Sequence, residues 1–180
     1  QFISEINSQS MYYKQQIAEV MFNLLDSHDT ERILTTAKGN IQHVKAALTF
    51  LYLQKGTPCI YYGTELALIG GPDPDCRRVM PWDRVSEDND MLNFMKKLIK
   101  VRKEVASIIQ HGNYRLEEVE PDVIGSFYTY YKPDKATDVL LDVTMQMKNL
   151  KKEDLKLSSE LQGSLKIDGK SYVVRFGAVS

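Results

Sequence analysis

The residues of this sequence whose types and spacing could do chemistry are the adjacent pair His28-Asp29. They follow an apolar run that begins at Phe22 and ends abruptly in polar residues, and helical signals come next. Parallel strands that are buried on both faces read as continuous apolar runs, and the residues just past their carboxyl ends face the cleft where ligands bind. The pattern therefore predicts that His28 and Asp29 lie in a cleft, although ordinary loops and helix caps also contain such pairs.

The elements that must position this pair alternate between helix and strand. Ser8 or Ser10 could cap a helix over residues 11–21, which precedes the apolar run. After the pair, Asn40 is the predicted N-cap of a helix whose apolar residues recur at three-four spacing, and Gly56 is its predicted end. The order of these signals indicates a helical connection between two strands.

The second strand and a long loop complete this part of the chain. A buried strand is predicted over residues 57–63, with a proline near its start and a glycine at its end. A long polar loop is predicted over residues 64–90, and loops of this length in compact domains are often functional. A further helix begins at one of residues 88–90 and ends at His111-Gly112. This order predicts an α/β region with a parallel sheet, too short for a complete barrel of about 250 residues.

Beyond residue 112 the helical spacing gives way to alternation and turn signals. Asp168-Gly169 lies between two alternating runs and is a strong hairpin signal. The sequence therefore predicts a small antiparallel β-sandwich over residues 113–180, after an α/β region over residues 1–112. Residues 147–160, rich in lysine and glutamate, fit only a loop or a short helix.

Composition describes an ordinary globular protein. Of the 180 residues, 43% are apolar and 26% are charged, and the formal net charge of -1 gives no basic excess for nucleic acid. No apolar run approaches the roughly 18 residues of a membrane span, and no signal peptide is apparent, so we expect a cytoplasmic protein. Cys59 and Cys76 fit neither a disulfide framework nor a zinc site, and no metal or cofactor is expected. Gln1 in place of methionine suggests a piece of a longer chain.

Three motifs resemble segments of the α-amylase family of glycoside hydrolases. Residues 23–30 (NLLDSHDT) resemble the family's fourth conserved region, at the end of barrel strand seven. Residues 56–65 (GTPCIYYGTE) resemble the strand-eight segment, with Thr64 where the family usually has aspartate. Residues 70–78 (GGPDPDCRR) with 80–83 (MPWD) resemble the neopullulanase, cyclomaltodextrinase and maltogenic amylase subgroup in particular.

This resemblance implies a fold and an activity. The chain would be the C-terminal part of a (β/α)8 barrel, with strands seven and eight and their helices, followed by the β-sandwich. It would belong to a retaining glycosidase that cleaves α-1,4 or α-1,6 glucosidic bonds in cyclodextrins, pullulan, starch or maltooligosaccharides. An alternative within the family is glycosyl transfer to sugars.

The resemblance also implies roles for individual residues. Asp29 matches the acidic residue that holds the hydroxyls of the distorted, oxocarbenium-like sugar, and His28 matches a histidine that hydrogen-bonds the same sugar. Asp73 and Arg77 match loop residues that contact the adjoining glucose units, although the two could simply fix each other. The nucleophile and the acid/base of the family sit on strands four and five, which would precede Gln1. The 180-residue chain alone is therefore expected to be inactive.

Several roles stay open at this point. Arg32 is expected to anchor the loop before the following helix, Glu65 is undecided, and Trp82 is a candidate sugar platform. A truncated barrel would expose a strand edge and apolar helix faces, which favours self-association. The rival function is a carbohydrate-binding or interaction module in the β region, whose platform would use the tyrosines at 128, 130 and 172.

Overall fold

The computed structural model describes residues 2–120, 123–131, 138–146, 161–167 and 170–176. The described part divides into two compact units, one of residues 19–105 and one that combines residues 1–18 with the chain from residue 106 onward. The sequence-based division into residues 1–112 and 113–180 stays a prediction. In chain order the helices and strands are α1 Phe2–Tyr12, α2 Gln15–Ala18, β1 Phe22–Asn23, α3 Ile33–Thr36, α4 Ile41–Tyr52, β2 Thr57–Pro58, α5 Asp90–His111, β3 Asn113–Glu120, β4 Val123–Tyr131, β5 Asp138–Gln146, β6 Leu161–Ile167 and β7 Lys170–Phe176.

The unit of residues 19–105 is built on two short parallel strands joined by helices. β1 pairs with β2 in parallel, with Phe22 opposite Thr57 and Asn23 opposite Pro58. The backbone N–H of Thr57 donates to the Met21 carbonyl at 2.8 Å, and that of Cys59 donates to the Asn23 carbonyl at 2.7 Å. Helices α3 and α4 form the crossover that parallel strands require. The predicted parallel pair with a helical connection is thus confirmed.

The second strand is shorter than the sequence predicts. β2 ends at Pro58, and the aromatic residues that follow run into a turn. Gly63 adopts a left-handed φ of +86° at the start of a one-turn 3-10 helix over Thr64–Leu66. A Cβ atom at Gly63 would come within 2.7 Å of the Leu68 Cδ2 atom, so this turn needs glycine for both its backbone angle and its packing.

Capping at α4 and α5 follows local sequence signals. The Asn40 side chain accepts hydrogen bonds from the backbone N–H groups of Gln42 and His43 at 3.0 and 3.1 Å, which confirms Asn40 as the N-cap of α4. For α5, the Asn89 side chain accepts the corresponding hydrogen bond from the backbone N–H of Leu92 at 2.9 Å. These bonds satisfy N–H groups that a helix leaves without partners at its first turn.

The core of this unit lies between α3, α4 and α5. The apolar stripe of α4 packs with that of α5, and burial of each large apolar side chain contributes about 1.5–3 kcal/mol. Arg102 of α5 donates to the carbonyls of Tyr52, Gln54 and Gly56. These residues lie at the end of α4 and in the segment between α4 and β2. The buried cluster is Leu34, Val44, Leu48, Leu51, Tyr52, Met91, Met95 and Leu98.

In the other unit, strands β3 to β7 form one antiparallel sheet in sequence order. Ile167 of β6 is opposite Lys170 of β7, as a tight hairpin at the predicted turn requires, while residues 168–169 themselves lie outside the described residues. The predicted antiparallel strands are therefore present. Residues 147–160, predicted as loop or short helix, also lie outside the described residues.

The first helix differs from the sequence prediction. Neither Ser8 nor Ser10 is a cap, because α1 begins at Phe2 and already includes both serines. The helix is interrupted at Tyr13 and Lys14, and α2 starts as a separate turn. The prediction was wrong because apolar residues at helical spacing continue upstream of Ser8, at positions 2, 3 and 6.

Candidate functional site

His28 and Asp29 lie directly beyond β1, where the sequence predicts a cleft pair. The His28 Nε2 atom is 3.1 Å from Asp29 Oδ2, and the two side chains are 60% and 69% exposed. The turn that presents them is held by Ser27, whose N–H donates to Thr30 Oγ1 at 2.9 Å and whose hydroxyl accepts from the Asp29 N–H at 3.2 Å. Both side chains are therefore open to a ligand, and their backbone is fixed.

Arg77 connects this pair to the long loop. Its Nη2 atom lies 3.5 Å from Asp29 Oδ1, and its Nε atom lies 2.7 Å from Asp73 Oδ1. The same Nε–H group also donates to the His28 backbone carbonyl at 3.1 Å. The structure thus brings together all four residues that the sequence singles out: His28, Asp29, Asp73 and Arg77. The 2.7 Å contact also supports the alternative in which Asp73 and Arg77 fix each other.

A buried carboxylate joins the ends of the two strands. Asp26 is 4% exposed, and its side chain accepts from the Ile33 N–H at 3.0 Å and from the Thr64 hydroxyl at 3.0 and 3.1 Å. A hydroxyl at position 64 is a donor that suits this carboxylate, whereas an aspartate would place a second acid against it. Sequence reasoning missed Asp26, although an acid at the end of an apolar run is a usable signal.

Arg32 is the largest fully buried side chain of the described residues, with an exposure of 0%. Its Nε–H group donates to the Cys76 carbonyl at 2.6 Å, and Nη1 donates to the Tyr62 carbonyl at 2.5 Å. Its guanidinium carbon lies 4.0 Å from the Tyr61 ring centroid and 4.6 Å from that of Tyr62. Such desolvated cation–π contacts are worth up to about 2 kcal/mol. Arg32 therefore anchors the segment after β2 and the long loop that follows it, whereas the sequence prediction concerned the loop before the following helix.

A second ion pair organises the loop next to Arg77. Arg78 donates from Nε and Nη2 to the two oxygens of Asp75 at 2.7 and 2.8 Å, and the Gly71 N–H donates to Asp75 Oδ2 at 2.7 Å. These donors, above all Arg78, hold the pKa of Asp75 below its ordinary value of 3.8. The Tyr62 hydroxyl donates to the Arg78 carbonyl at 2.7 Å, which fastens the loop to the segment after β2.

The remaining candidate residues have varied surroundings. The Trp82 side chain is 72% exposed on a one-turn 3-10 helix, which leaves its face available to a sugar. Glu65 Oε2 is buried and has no hydrogen-bond partner among the described residues. The ring centroids of Tyr61 and His28 are 6.5 Å apart, and the two ring planes are inclined at 56°. Desolvation, together with the neighbouring Tyr62, raises the pKa of Tyr61.

In the described part of the chain, no group of three or more His, Cys, Asp or Glu side chains is arranged to hold a metal ion. Within the same residues, every helix is too short or too polar to cross a bilayer. The tyrosines proposed as a β-sheet platform lie on β4 and β7, which β5 and β6 separate in the sheet.

Comparison with known proteins identifies the family. The family model for the alpha-amylase catalytic domain matches residues 2–89. The chain belongs to the α-amylase family. It is 46% identical over 108 residues to the intracellular maltogenic amylase of Bacillus subtilis strain 168, across 60% of this chain and 18% of that protein. It is 43% identical over 114 residues to neopullulanase 2 of Thermoactinomyces vulgaris, across 63% of this chain and 19% of that protein.

Structural comparison agrees with this assignment. A solved cyclomaltodextrinase superposes with a TM-score of 0.66 and 38% identity, over 77% of this chain and 23% of that one. These names place the chain in the neopullulanase, cyclomaltodextrinase and maltogenic amylase subgroup, as its motifs predicted. The β1–β2 pair with its helical crossover is accordingly part of an α-amylase-family barrel. The chain spans about a fifth of the length of the curated relatives it matches.

Proposed function

We propose that this α-amylase-family chain forms the part of a glycosidase site that holds the sugar of an α-glucan or maltooligosaccharide. The observation that carries the proposal is the convergence of four side chains past β1, in which Arg77 spans Asp29 and Asp73 beside His28. Carboxylate acceptors and a planar guanidinium match the paired hydroxyls of glucose units. The exposure of all four side chains gives a sugar access to them.

The chemistry proposed for Asp29 is stabilisation of the transition state. As the glycosidic bond breaks, the sugar ring flattens and positive charge develops at its anomeric carbon. Hydrogen bonds from ring hydroxyls to a carboxylate strengthen in that state and contribute several kcal/mol to cleavage. Asp29 would accept these bonds, and His28, whose Nε2 atom is 3.1 Å from Asp29 Oδ2, would bind the same sugar.

The bond-breaking carboxylates are proposed to lie outside the 180 residues. A retaining glycosidase needs a nucleophile and an acid/base about 5 Å apart, and in this family they belong to barrel strands four and five. Two exposed apolar side chains fit a further strand packed beside β1, since Phe22 of β1 is 73% exposed and Leu24, the residue after β1, is 48% exposed. The 180-residue chain alone is therefore expected to give no hydrolysis, and the same site would serve a parent enzyme that uses either water or a sugar as acceptor.

Further parts of the proposal concern architecture and place. The antiparallel sheet of β3 to β7 is proposed to belong to a C-terminal β-sandwich domain over residues 113–180, after the barrel part over residues 1–112. A cytoplasmic location is proposed by analogy with the relative named an intracellular maltogenic amylase. Self-association of the 180-residue chain is proposed from the exposed apolar side chains of β1 and the segment around it.

Calorimetric titration of the purified chain with maltotetraose tests the proposed site. The wild-type chain should bind in the millimolar range, and Asp29→Asn should weaken binding by about tenfold or more, since a charge-assisted hydrogen bond contributes about 1.5–3 kcal/mol. Asp83→Asn is the matched control, because Asp83 is an exposed carboxylate of the same long loop. Equal affinity of the Asp29→Asn variant and the wild-type chain would contradict the proposal.

A further inference from the structure

Arg32 reaches the candidate site only through other residues. It is fully buried, so its side chain cannot touch a sugar that binds at the exposed Asp29. Its Nε–H group donates to the carbonyl of Cys76, the residue immediately before Arg77. The Cys76 thiol and the Arg77 Nε–H group both donate to the His28 carbonyl at 3.1 Å. One chain of hydrogen bonds therefore runs from Arg32 through Cys76 to the backbone that carries His28.

We propose that Arg32 is a positioning residue, whose guanidinium fixes Cys76 and thereby sets Arg77 against Asp29 and Asp73. The inference deepens the proposed function, and its affinity readout rests on it. The mechanism is geometric: Arg32 binds the carbonyls of Cys76 and Tyr62 with separate nitrogen atoms of one rigid plane. Its own backbone N–H also donates to the Gly70 carbonyl at 3.0 Å, which fixes the other end of the same loop segment.

The surroundings of Arg32 require arginine rather than lysine. The guanidinium donates to two carbonyls and also contacts the rings of Tyr61 and Tyr62, whereas a lysine ammonium would act as a single point donor without the fork. Gly70 allows the close approach, because a Cβ atom there would come within 2.6 Å of the Asp75 carbonyl oxygen and 3.2 Å of Arg32 Cγ. Both Arg32→Lys and Gly70→Ala should therefore displace the loop.

Chemical labelling of Cys76 tests the positioning independently of any sugar. With Cys59 replaced by serine, Cys76 becomes the single thiol of the chain, and it is buried in the structure. Its rate of reaction with dithionitrobenzoate then reports opening of the loop. Arg32→Lys should raise this rate by about tenfold or more, and Gly70→Ala, which keeps the arginine, should raise it as well. Arg102→Lys is the matched control, because Arg102 also donates to backbone carbonyls but before β2.

A second readout follows the Arg77 side chain itself. In chain labelled with ¹⁵N-arginine, the Arg77 Nε–H resonance, assigned by its loss in Arg77→Lys, should be slow to exchange because it donates to Asp73 and to the His28 carbonyl. Arg32→Lys should abolish that protection, and Arg102→Lys should preserve it. Protection of Cys76 and Arg77 in Arg32→Lys equal to that of the parent chain would overturn the inference, whatever the effect of Gly70→Ala.

Maltotetraose affinity separates the two proposals. If the wild-type chain binds the sugar, Arg32→Lys should weaken binding by about fivefold or more while Arg102→Lys leaves it unchanged. Unchanged affinity in a variant whose loop has opened would overturn the functional part of the positioning role. If the wild-type chain binds no sugar while Arg32→Lys still releases Cys76 and Arg77, the proposed function fails and the positioning of Arg77 by Arg32 stands.

Discussion

The guanidinium of Arg77 lies 3.5 Å from the Asp29 carboxylate, measured from Nη2 to Oδ1. The residues are far apart in sequence, and each follows a different strand of the parallel pair. Because both carboxyl ends of parallel strands meet at one edge of a sheet, the fold brings these two loops together. The Asp29–Arg77 contact is therefore a product of the α/β topology and not of local sequence.

The first prediction concerns the ion pair of Asp73 and Arg77. Arg77→Gln and Asp73→Asn should each weaken maltotetraose binding by several-fold, and the double variant should lose less than the sum of the single losses, because the two groups bond directly at 2.7 Å. The stability of each variant should change by no more than about 1 kcal/mol, since both side chains are about half exposed. Titration calorimetry and urea unfolding provide the two measurements. Normal sugar affinity in both single variants would reduce the pair to a structural contact.

The second prediction concerns the pH dependence of the loop. Because Arg78 and the Gly71 N–H hold the pKa of Asp75 below 3.8, the stabilisation they give is complete above pH 3.8. It should be lost as the pH falls below 3.8 and Asp75 becomes protonated. Titration of the Asp75 carboxyl by NMR should show a midpoint below 3.8, and Arg78→Gln should move that midpoint upward. An unchanged midpoint in Arg78→Gln would contradict the assigned cause.

The third prediction concerns the buried bond between Thr64 and Asp26. Thr64→Val keeps the side-chain shape but removes the hydroxyl that donates to both carboxylate oxygens, so it should destabilise the fold by about 1–3 kcal/mol. Thr64→Ser should retain most of the stability. Urea unfolding followed by circular dichroism measures the effect, with Thr57→Val as a control at an exposed threonine. Equal loss in both valine variants would show that the hydroxyl of Thr64 has no special role.

The fourth prediction concerns self-association of the chain. Phe22 and Leu24 are 73% and 48% exposed, and β1 pairs only with β2 among the described strands. Replacing both side chains with glutamine should lower the apparent mass of the chain in size-exclusion chromatography with light scattering. Val79→Gln, at an apolar residue that is 86% exposed in the long loop, serves as the control. A wild-type chain that is monomeric at high concentration would contradict this prediction.

Local signals explain what the sequence predicted well. Asn40 bonds backbone groups two and three residues away, so its capping role could be inferred from neighbouring residues alone. The parallel strands and the His28-Asp29 pair could likewise be predicted from an apolar run and its abrupt end. The subgroup followed from a short motif, residues 70–78 with 80–83.

The contacts that assemble the site were less accessible to sequence reasoning. Asp26 and Thr64 are 38 residues apart, and Arg32 and Cys76 are 44 residues apart, so their pairing depends on how the two loops meet. The start of α1 was missed because helical spacing upstream of Ser8 outweighs the capping preference of a serine. The motif at residues 70–78 singled out Arg77 as a candidate, but the link from Arg77 to Asp29 needed the three-dimensional arrangement.

Backbone chemical-shift mapping of the ¹⁵N-labelled chain with maltotetraose tests the central claim most directly. The account predicts that the largest shifts occur at residues 26–32 and 70–78, around Asp29 and Arg77, and that Asp29→Asn removes them. Shifts confined to β4 and β7 would instead support a carbohydrate-binding sheet, and together with an unresponsive Asp29 they would contradict the proposed sugar site.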